Sequence, residues 1–223
     1  EQFLNEIERL VEEEVLGIEI NAALYNMAMK ACANRGNAEK AQAIFDRCTS
    51  AFEAGNESAR PTIITWDTLI DANAKSGRPD AGELALEKLR EAEESFTSGA
   101  LKERPDTIIY NSVIDAFAKA RRPQEAENVL EELNRVYLAG NTEAQPDVYS
   151  FTAVLNAWAR SGILEGAQRS EKILNRMIKL FEDATLPVRP NTVSYSTVIS
   201  AYGRQGLPRE ATKVLDRQHQ DFL

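Results

Sequence analysis

Apolar residues recur three and four positions apart in five segments of the chain, a pattern that predicts amphipathic α-helices. The segments read LYNMAMKACANRG, TWDTLIDANAKSG, IYNSVIDAFAKAR, SFTAVLNAWARSG and SYSTVISAYGRQG. Each has an aromatic at its second position, and successive aromatics are 41, 44, 41 and 44 residues apart: Tyr25, Trp66, Tyr110, Phe151 and Tyr195. A period of this length indicates a repeat protein.

A second helical pattern follows each segment after a short break. The residue 16 positions after each aromatic is small, which would let two helices approach closely: Ala41, Gly82, Ala126, Ala167 and Ala211. Pro123 and Pro208 suit the first turn of such a second helix. A polar stretch with proline then ends the unit. Each unit is therefore predicted to be a helix hairpin.

Stacked hairpins predict an all-α solenoid, because a single hairpin cannot cover its own apolar faces. The expected helix pairs are 23–34 with 38–53, 65–76 with 80–97, 109–120 with 123–139, 150–161 with 164–182, and 194–204 with 208–220. The expected repeats are 22–62, 63–106, 107–147, 148–191 and an incomplete 192–223. Residues 1–21 are predicted to contain the second helix of a preceding partial repeat.

Composition narrows the function classes. The net charge of −9 argues against a generic polyanion-binding surface, and no apolar run approaches the length of a membrane span. Two cysteines, Cys32 and Cys48, provide no disulfide framework, so we expect buried thiols in a reducing compartment. Trp66 and Trp158 are expected in the core or between repeats.

Residue patterns for catalysis are missing from the sequence. It contains no phosphate-cradling Gly-rich loop, nucleophile elbow or paired-Cys zinc motif, and its single histidine is His219. We therefore expect no enzymatic activity, cofactor or metal site in these residues.

The units resemble the pentatricopeptide repeat family. The resemblance rests on an aromatic followed by a polar residue, an apolar run ending in IDA, LNA or ISA, then Lys or Arg, Gly, and the EA of the second helix. It covers nearly the whole chain and implies a right-handed α-solenoid. The family's usual unit is shorter than 41 or 44 residues, so we expect insertions at the tail of the second helix.

The resemblance implies that the residue after each aromatic reads one RNA base, together with the last residue of the same repeat. The resulting pairs are Asn26 with Thr62, Asp67 with Asp106, Asn111 with Asp147, Thr152 with Asn191, and Ser196 without a partner in the chain. The residues two positions before the aromatics would wedge against base faces: Ile64, Ile108, Tyr149 and Val193, with Ala23 in the first repeat. Short hydrogen-bonding side chains suit base recognition at one base per repeat.

Helix capping is the alternative for these polar residues, because Asn, Asp, Ser and Thr are ordinary caps. A cap normally precedes the apolar helix residues, whereas these residues follow an aromatic. The preceding Pro and Asp or Asn can supply the caps. We therefore favour base contact.

A row of cations recurs nine residues after the aromatics and is expected to face RNA phosphates. This cationic row comprises Lys75, Lys119, Arg160 and Arg204, with Asn34 at the same position in the first repeat. The alternative is solvation at helix C-termini, which the helix dipole favours. Asp71 and Asp115 weaken the phosphate hypothesis, although their spacing is expected to point them to a different side.

These features predict a sequence-specific single-stranded RNA-binding array that acts in organellar RNA processing, stability or translation. The resemblance implies a mitochondrial or chloroplast location, and we expect a monomer that does not enter membranes. One alternative is a protein-binding solenoid scaffold, favoured by the acidic charge and the divergent Asp67. Another is the array portion of a larger RNA-processing enzyme.

Overall fold

The structure is a computed structural model that describes residues 20–221, and this part of the chain is all-α. Its helices are α1 (Ala22–Ala33), α2 (Ala38–Glu53), α3 (Ile63–Lys75), α4 (Ala81–Thr97), α5 (Thr107–Lys119), α6 (Pro123–Leu138), α7 (Val148–Arg160), α8 (Gly166–Glu182), α9 (Thr192–Arg204) and α10 (Pro208–Asp221). Short 3₁₀ turns span Glu57–Ala59 and Thr142–Ala144. Residues 20–221 contain no strand. The helix predicted within 1–21 lies outside the described residues.

The described residues divide into two compact units, with the division between Ala116 and Phe117. In the first unit, α1 pairs with α2 and α3 pairs with α4, while α3 also packs against both helices of the preceding hairpin. In the second unit, α7 pairs with α8 and α9 with α10, and α9 packs against both α7 and α8. Hairpins therefore stack within each unit, which confirms the predicted helical-repeat architecture.

The first helices of four repeats begin two residues before the predicted positions. The prediction started them beside the aromatic, at residues 65, 109, 150 and 194, whereas α3, α5, α7 and α9 begin at 63, 107, 148 and 192. The reason is that each helix starts directly after the polar residue that follows proline. Asp147 and Asn191, for example, have extended backbones and cap α7 and α9.

The core follows the predicted small and aromatic positions. Ala41, Ala126 and Ala167 are fully buried, whereas Ala211 is only partly buried. Gly166, beside Ala167, has no room for a larger residue, because a Cβ there would lie 2.6 Å from the carbonyl oxygen of Trp158. The two helices of this hairpin are in backbone contact at that point, as the small residues predict.

The predicted burial of the tryptophans and cysteines is confirmed. Trp66 packs edge-on against Phe45 with ring centroids 4.7 Å apart. Cys32 and Cys48 are both buried free thiols. Cys48 donates to the carbonyl oxygen of Ala59 at 3.1 Å, and burial raises the pKa of its thiol to about 12. Such a thiol is unreactive at neutral pH.

Two turn positions recur with a left-handed backbone. The turn inside the hairpin, 11 residues after the aromatic, has glycine at positive φ in four repeats and Arg121 at φ 57° in the third. The turn after the second helix has Gly55, Gly99 and Gly140 at positive φ, and Ala184 at φ 50°. Arg121 and Ala184 therefore occupy conformations that favour glycine.

Carboxylates on second helices accept hydrogen bonds from aromatics of the next repeat. Within the first unit, Tyr110 donates to Glu93. In the second unit, the indole nitrogen of Trp158 donates to Glu127 at 2.7 Å, and the hydroxyl of Tyr202 donates to Glu171. Part of the acidic excess is therefore built into the contacts between successive hairpins.

Candidate nucleic-acid interface

The predicted second members of the base-reading pairs are helix caps. Asp106 Oδ1 accepts from the backbone nitrogen of Ile109 at 3.1 Å, and Asp147 Oδ1 accepts from Ser150 at 2.7 Å. Asn191 Oδ1 accepts from Ser194 at 3.0 Å, and Thr62 forms a reciprocal capping box with Thr65. Capping fixes each of these side chains at the start of a first helix and engages an oxygen of each.

The residues that follow the aromatics are not caps, because they lie in the second turn of their helices. Asn111 is 8% exposed, Asn26, Asp67 and Thr152 are partly buried, and Ser196 is exposed. Thr152 and Ser196 donate to backbone carbonyls of their own helices, at 2.7 and 3.1 Å. Their hydroxyl oxygens keep accepting capacity.

Asn26 carries a buried polar atom that has no hydrogen-bond partner in the described part of the chain. Its Oδ1 is inaccessible to solvent, and no described residue donates to it. An unsatisfied buried acceptor is costly, and such atoms are rare in folded proteins. Asn26, one of the predicted reading positions, therefore has an acceptor that the described residues leave unused.

Asp67 is tied to the next first helix. The hydroxyl of Ser112 donates to its Oδ1 at 3.1 Å. Burial raises the pKa of Asp67, and the nearby charges of Asp71 and Asp106 raise it further. The hydrogen bond from Ser112 and the charge of Lys30 lower the pKa but do not cancel this rise. The predicted pair Asp67 and Asp106 therefore places two carboxylates within electrostatic range of each other.

The predicted base-stacking positions are exposed apolar side chains. The exposed fractions are 62% for Ile64 and Ile108, 52% for Tyr149 and 54% for Val193. The next residue in each case, such as Ile109 or Ser150, is buried. Single exposed apolar residues are ordinary on protein surfaces, but four at the same repeat position form a pattern.

The cationic row lies at the last residue of the first helices. Lys75, Lys119, Arg160 and Arg204 end α3, α5, α7 and α9, where the helix dipole alone would favour cations. Two of them have partners among the described residues. Lys75 Nζ lies 2.8 Å from Asp71 Oδ2, and Arg204 donates to the carbonyl oxygen of Ala159 at 2.9 Å.

The expectation that Asp71 points to a different side from the cationic row is wrong. Asp71 and Lys75 are four residues apart, which places them on one face of α3, and they form an ion pair. Lys30 on α1 also pairs with Asp71 Oδ2, at 2.8 Å. Lys30 and Ser112 were not predicted from the sequence. Lys30 lies five residues after Tyr25, the same repeat position as Asp71, so comparison of that position across repeats could have identified it.

Metal and membrane chemistry find no support in the described residues. Within residues 20–221, no group of three or more His, Cys, Asp or Glu side chains could hold a metal ion. None of the helices described above is both long and apolar enough to cross a bilayer.

Three sequence profiles of one repeat family match the chain. The profile described as a pentatricopeptide repeat domain matches residues 9–76. A profile described as a PPR repeat matches residues 64–93 and 108–136. Another profile with the same description matches residues 187–217. Together these ranges include more than half of the chain and parts of both units. The chain belongs to the pentatricopeptide repeat family.

Solved structures give a more distant likeness. The chain is similar to PPR10, a pentatricopeptide repeat protein crystallised in complex with an 18-nt psaJ RNA element, at 19% identity and a TM-score of 0.38. A PPR10 variant with cysteines replaced by serine, crystallised with the same element, matches with equal identity and TM-score. The alignments cover 98% of this chain and 38% of PPR10. No curated protein sequence matches the chain.

Proposed function

We propose that this chain binds single-stranded RNA in a sequence-specific manner, one base per repeat. The observation that carries the proposal is the coincidence of two periodic features on the first helices. A short polar side chain follows the aromatic in every repeat, and an exposed apolar side chain lies three residues before that polar side chain in four of them. Hydrogen-bonding groups and stacking surfaces are the two contacts through which proteins recognise unpaired bases.

Through the family resemblance, the pairs give a recognition sequence. Asn111 with Asp147 prefers uracil, Thr152 with Asn191 prefers adenine, and Ser196 prefers a purine. The RNA runs 5′ to 3′ as the chain runs from N- to C-terminus. Asn26 with Thr62 indicates a pyrimidine upstream, and the base at Asp67 is left open. The proposed core is therefore U-A-purine.

Capping is compatible with base reading at the second members of the pairs. The cap of α9 uses only Oδ1 of Asn191, so the amide nitrogen of this exposed side chain can still donate to a base. Asp106 likewise caps α5 through Oδ1. The cap holds the side chain in one orientation, which lowers the entropy cost of binding.

A biological role completes the proposal. We propose that it acts in RNA processing, stability or translation in a mitochondrion or chloroplast, as the family resemblance implies. The chain spans 38% of the length of PPR10.

Selection from a random pool of single-stranded RNA tests the proposal. The purified chain should enrich U-A-purine, and a competitor with the same composition but scrambled order should bind more weakly. Duplex RNA is the matched control, because stacking and base-edge contacts require unpaired bases. If the chain bound RNA but enriched no particular sequence, base reading would be contradicted. An absence of RNA binding would favour a protein-binding scaffold.

A further inference from the structure

The first unit contains two lysines that share one carboxylate. Lys30 Nζ and Lys75 Nζ each lie 2.8 Å from Asp71 Oδ2. Since both contact the same oxygen, the two nitrogens are at most about 5.6 Å apart. The lysines belong to successive repeats, on α1 and α3, and these helices pack against each other. The arrangement therefore joins the first helices of two repeats.

The shared carboxylate is enclosed, whereas the lysines are open to solvent. The side chain of Asp71 is 17% exposed, compared with 51% for Lys30 and 38% for Lys75. Burial raises the pKa of Asp71, but the hydrogen bonds and charges of the two lysines outweigh it, so the net shift is downward. The three groups carry a net charge of +1, and the positive members are the accessible ones.

Lys30 also lies beside the proposed reading position of the second repeat. Its positive charge acts on Asp67, the residue that follows Trp66. In the cationic row, the first repeat has Asn34 where later repeats have a cation. Lys30 contacts the carboxylate of Asp71, as does Lys75, which is the cation of the row in the second repeat. It is therefore placed to supply the cation that the first repeat lacks.

We propose that Lys30 and Lys75 together form one phosphate-binding site for single-stranded RNA, with Asp71 as an internal competitor for both lysines. This inference rests on the proposed function. Two ammonium groups at this separation can each donate to a different oxygen of one phosphate. A phosphate that binds them must displace their contacts with Asp71 and approaches a like charge. Asp71 therefore lowers the affinity for every RNA sequence alike.

Alanine variants of the two lysines test whether the site is shared. Lys30→Ala and Lys75→Ala should each weaken RNA binding. For each variant, the loss should be the same for an RNA carrying U-A-G and for its scrambled counterpart. The double variant should flatten the log-log salt dependence by about 0.7, the value for one phosphate on a single strand. Two separate phosphate contacts would instead flatten it by about 1.4. Lys88→Ala is the control, since Lys88 pairs with Glu91 on the second helix α4.

The Asp71→Asn variant tests the competition. Affinity should rise about two- to fivefold for both RNAs, the range expected for releasing a partly exposed ion pair. Glu91→Gln removes the same charge from α4 and should change the affinity less. Thermal unfolding checks that each variant is folded, and Lys30→Gln preserves the aliphatic part of the side chain if Lys30→Ala is unstable.

The outcomes separate this inference from the proposed function. If the wild-type chain bound neither RNA, both would be wrong. If the wild-type chain bound RNA but Lys30→Ala and Asp71→Asn behaved like the α4 controls, only the shared phosphate site would be overturned. If Asp71→Asn were less stable but bound RNA with unchanged affinity, the ion pairs would only stabilise the packing of α1 against α3, and the proposed competition would be wrong.

Discussion

The hydroxyl of Ser112 donates a hydrogen bond of 3.1 Å to Oδ1 of Asp67, across two successive first helices. The bond orients a carboxylate that burial and the charges of Asp71 and Asp106 make costly to ionise. Asp67 is therefore held in place by the next repeat while it carries an unfavourable charge. Asp67 therefore has two separable properties, its hydrogen bond and its ionisation. A single substitution can remove the charge and keep the hydrogen bond.

We predict that Asp67→Asn stabilises the fold at pH 7 by about 0.5 kcal/mol, a small effect because the side chain is only partly buried and stays hydrogen-bonded to Ser112. The amide oxygen can still accept from Ser112, and the buried charge is removed. The pKa of Asp67 is raised in the folded state, so its ionisation costs stability above that pKa. This cost disappears as the pH falls through the pKa. Thermal unfolding at pH 7 and about pH 4 should show the advantage of Asn shrinking.

Asp80→Asn is the matched control for the direction of the pH effect on stability. A hydrogen bond from Arg78 is the main cause that lowers the pKa of Asp80, so its ionised form stabilises the fold and protonation removes that contribution. Its replacement should lower the unfolding temperature at pH 7, and this loss should disappear in acid. A destabilising effect of Asp67→Asn at pH 7 would show that the charge of Asp67 is needed for folding.

The helical architecture was predictable because it depends on features that repeat. The spacing of Tyr25, Trp66 and Tyr110 set the hairpin period, and the small residues such as Ala126 marked the close approach of two helices. The helix starts were misplaced by two residues because the prediction began beside the aromatic. The caps expected before the aromatics, such as Asp147 and Asn191, define those starts through backbone hydrogen bonds, so a prediction begun at the caps would have been correct.

The contacts between repeats could not be predicted, because they join residues on different helices that lie far apart in the sequence. The bond from Trp158 to Glu127 spans 31 positions, and the ion pair between Lys30 and Asp71 spans 41. Which polar groups meet depends on how one hairpin is rotated against the next. The sequence identified rows of equivalent positions, but contacts such as Lys30 with Asp71 become visible only after the hairpins pack.

The left-handed backbone of Arg121 gives a second prediction. Arg121→Gly should stabilise the fold by about 0.5 to 1 kcal/mol, because a non-glycine residue in this conformation costs about 1–2 kcal/mol and the entropy cost of glycine offsets part of the gain. Four other repeats already have glycine at this turn position. Chemical denaturation measures the difference.

Ala184→Gly tests the same argument at the turn after α8, where φ is 50°. It should also be stabilising, whereas Ala139→Gly at the end of α6, where φ is −77°, should be neutral or destabilising. Equal effects at Ala184 and Ala139 would show that backbone conformation is not the cause.

The exposed apolar positions give a third prediction, at Ile108. Ile108→Ala should weaken RNA binding about fivefold, the lower end of the range for aromatic side chains, because isoleucine packs on a base without a π-face. Ile108→Tyr should strengthen binding, because Tyr149 already provides an aromatic at the equivalent position. Protein stability should change little, since Ile108 is 62% exposed. Fluorescence anisotropy with labelled RNA measures both variants.

Leu164→Ala is the control for Ile108, because Leu164 is more exposed but lies in a hairpin turn outside the proposed stacking positions. It should leave RNA affinity unchanged. If Leu164→Ala weakened binding as much as Ile108→Ala, general apolar contact would account for the effect, and the stacking positions would have no special role.

The last prediction exchanges the base preference of one repeat through Asn111. By the family resemblance, Asn111→Thr with Asp147 retained should convert a preference for uracil into one for guanine. One altered hydrogen-bonding pair should change discrimination by about 1–3 kcal/mol, the usual cost of a mismatch in nucleic-acid readout. Competition among four RNAs that differ only at that base measures the ranking. Asn128→Thr on the second helix α6 is the control and should leave the ranking unchanged.

The burial of Asn111 makes this exchange a strict test. At 8% exposure, the side chain cannot be altered without effect on its surroundings, so a general loss of affinity is the expected result if Asn111 serves only the fold. A reading role instead requires that affinity for one base rises while affinity for another falls. Capping does not compete as an explanation, because Asp106 caps α5 through the backbone nitrogen of Ile109. Uniform weakening toward all four RNAs would therefore assign Asn111 to the packing of α5 and contradict base reading at this repeat.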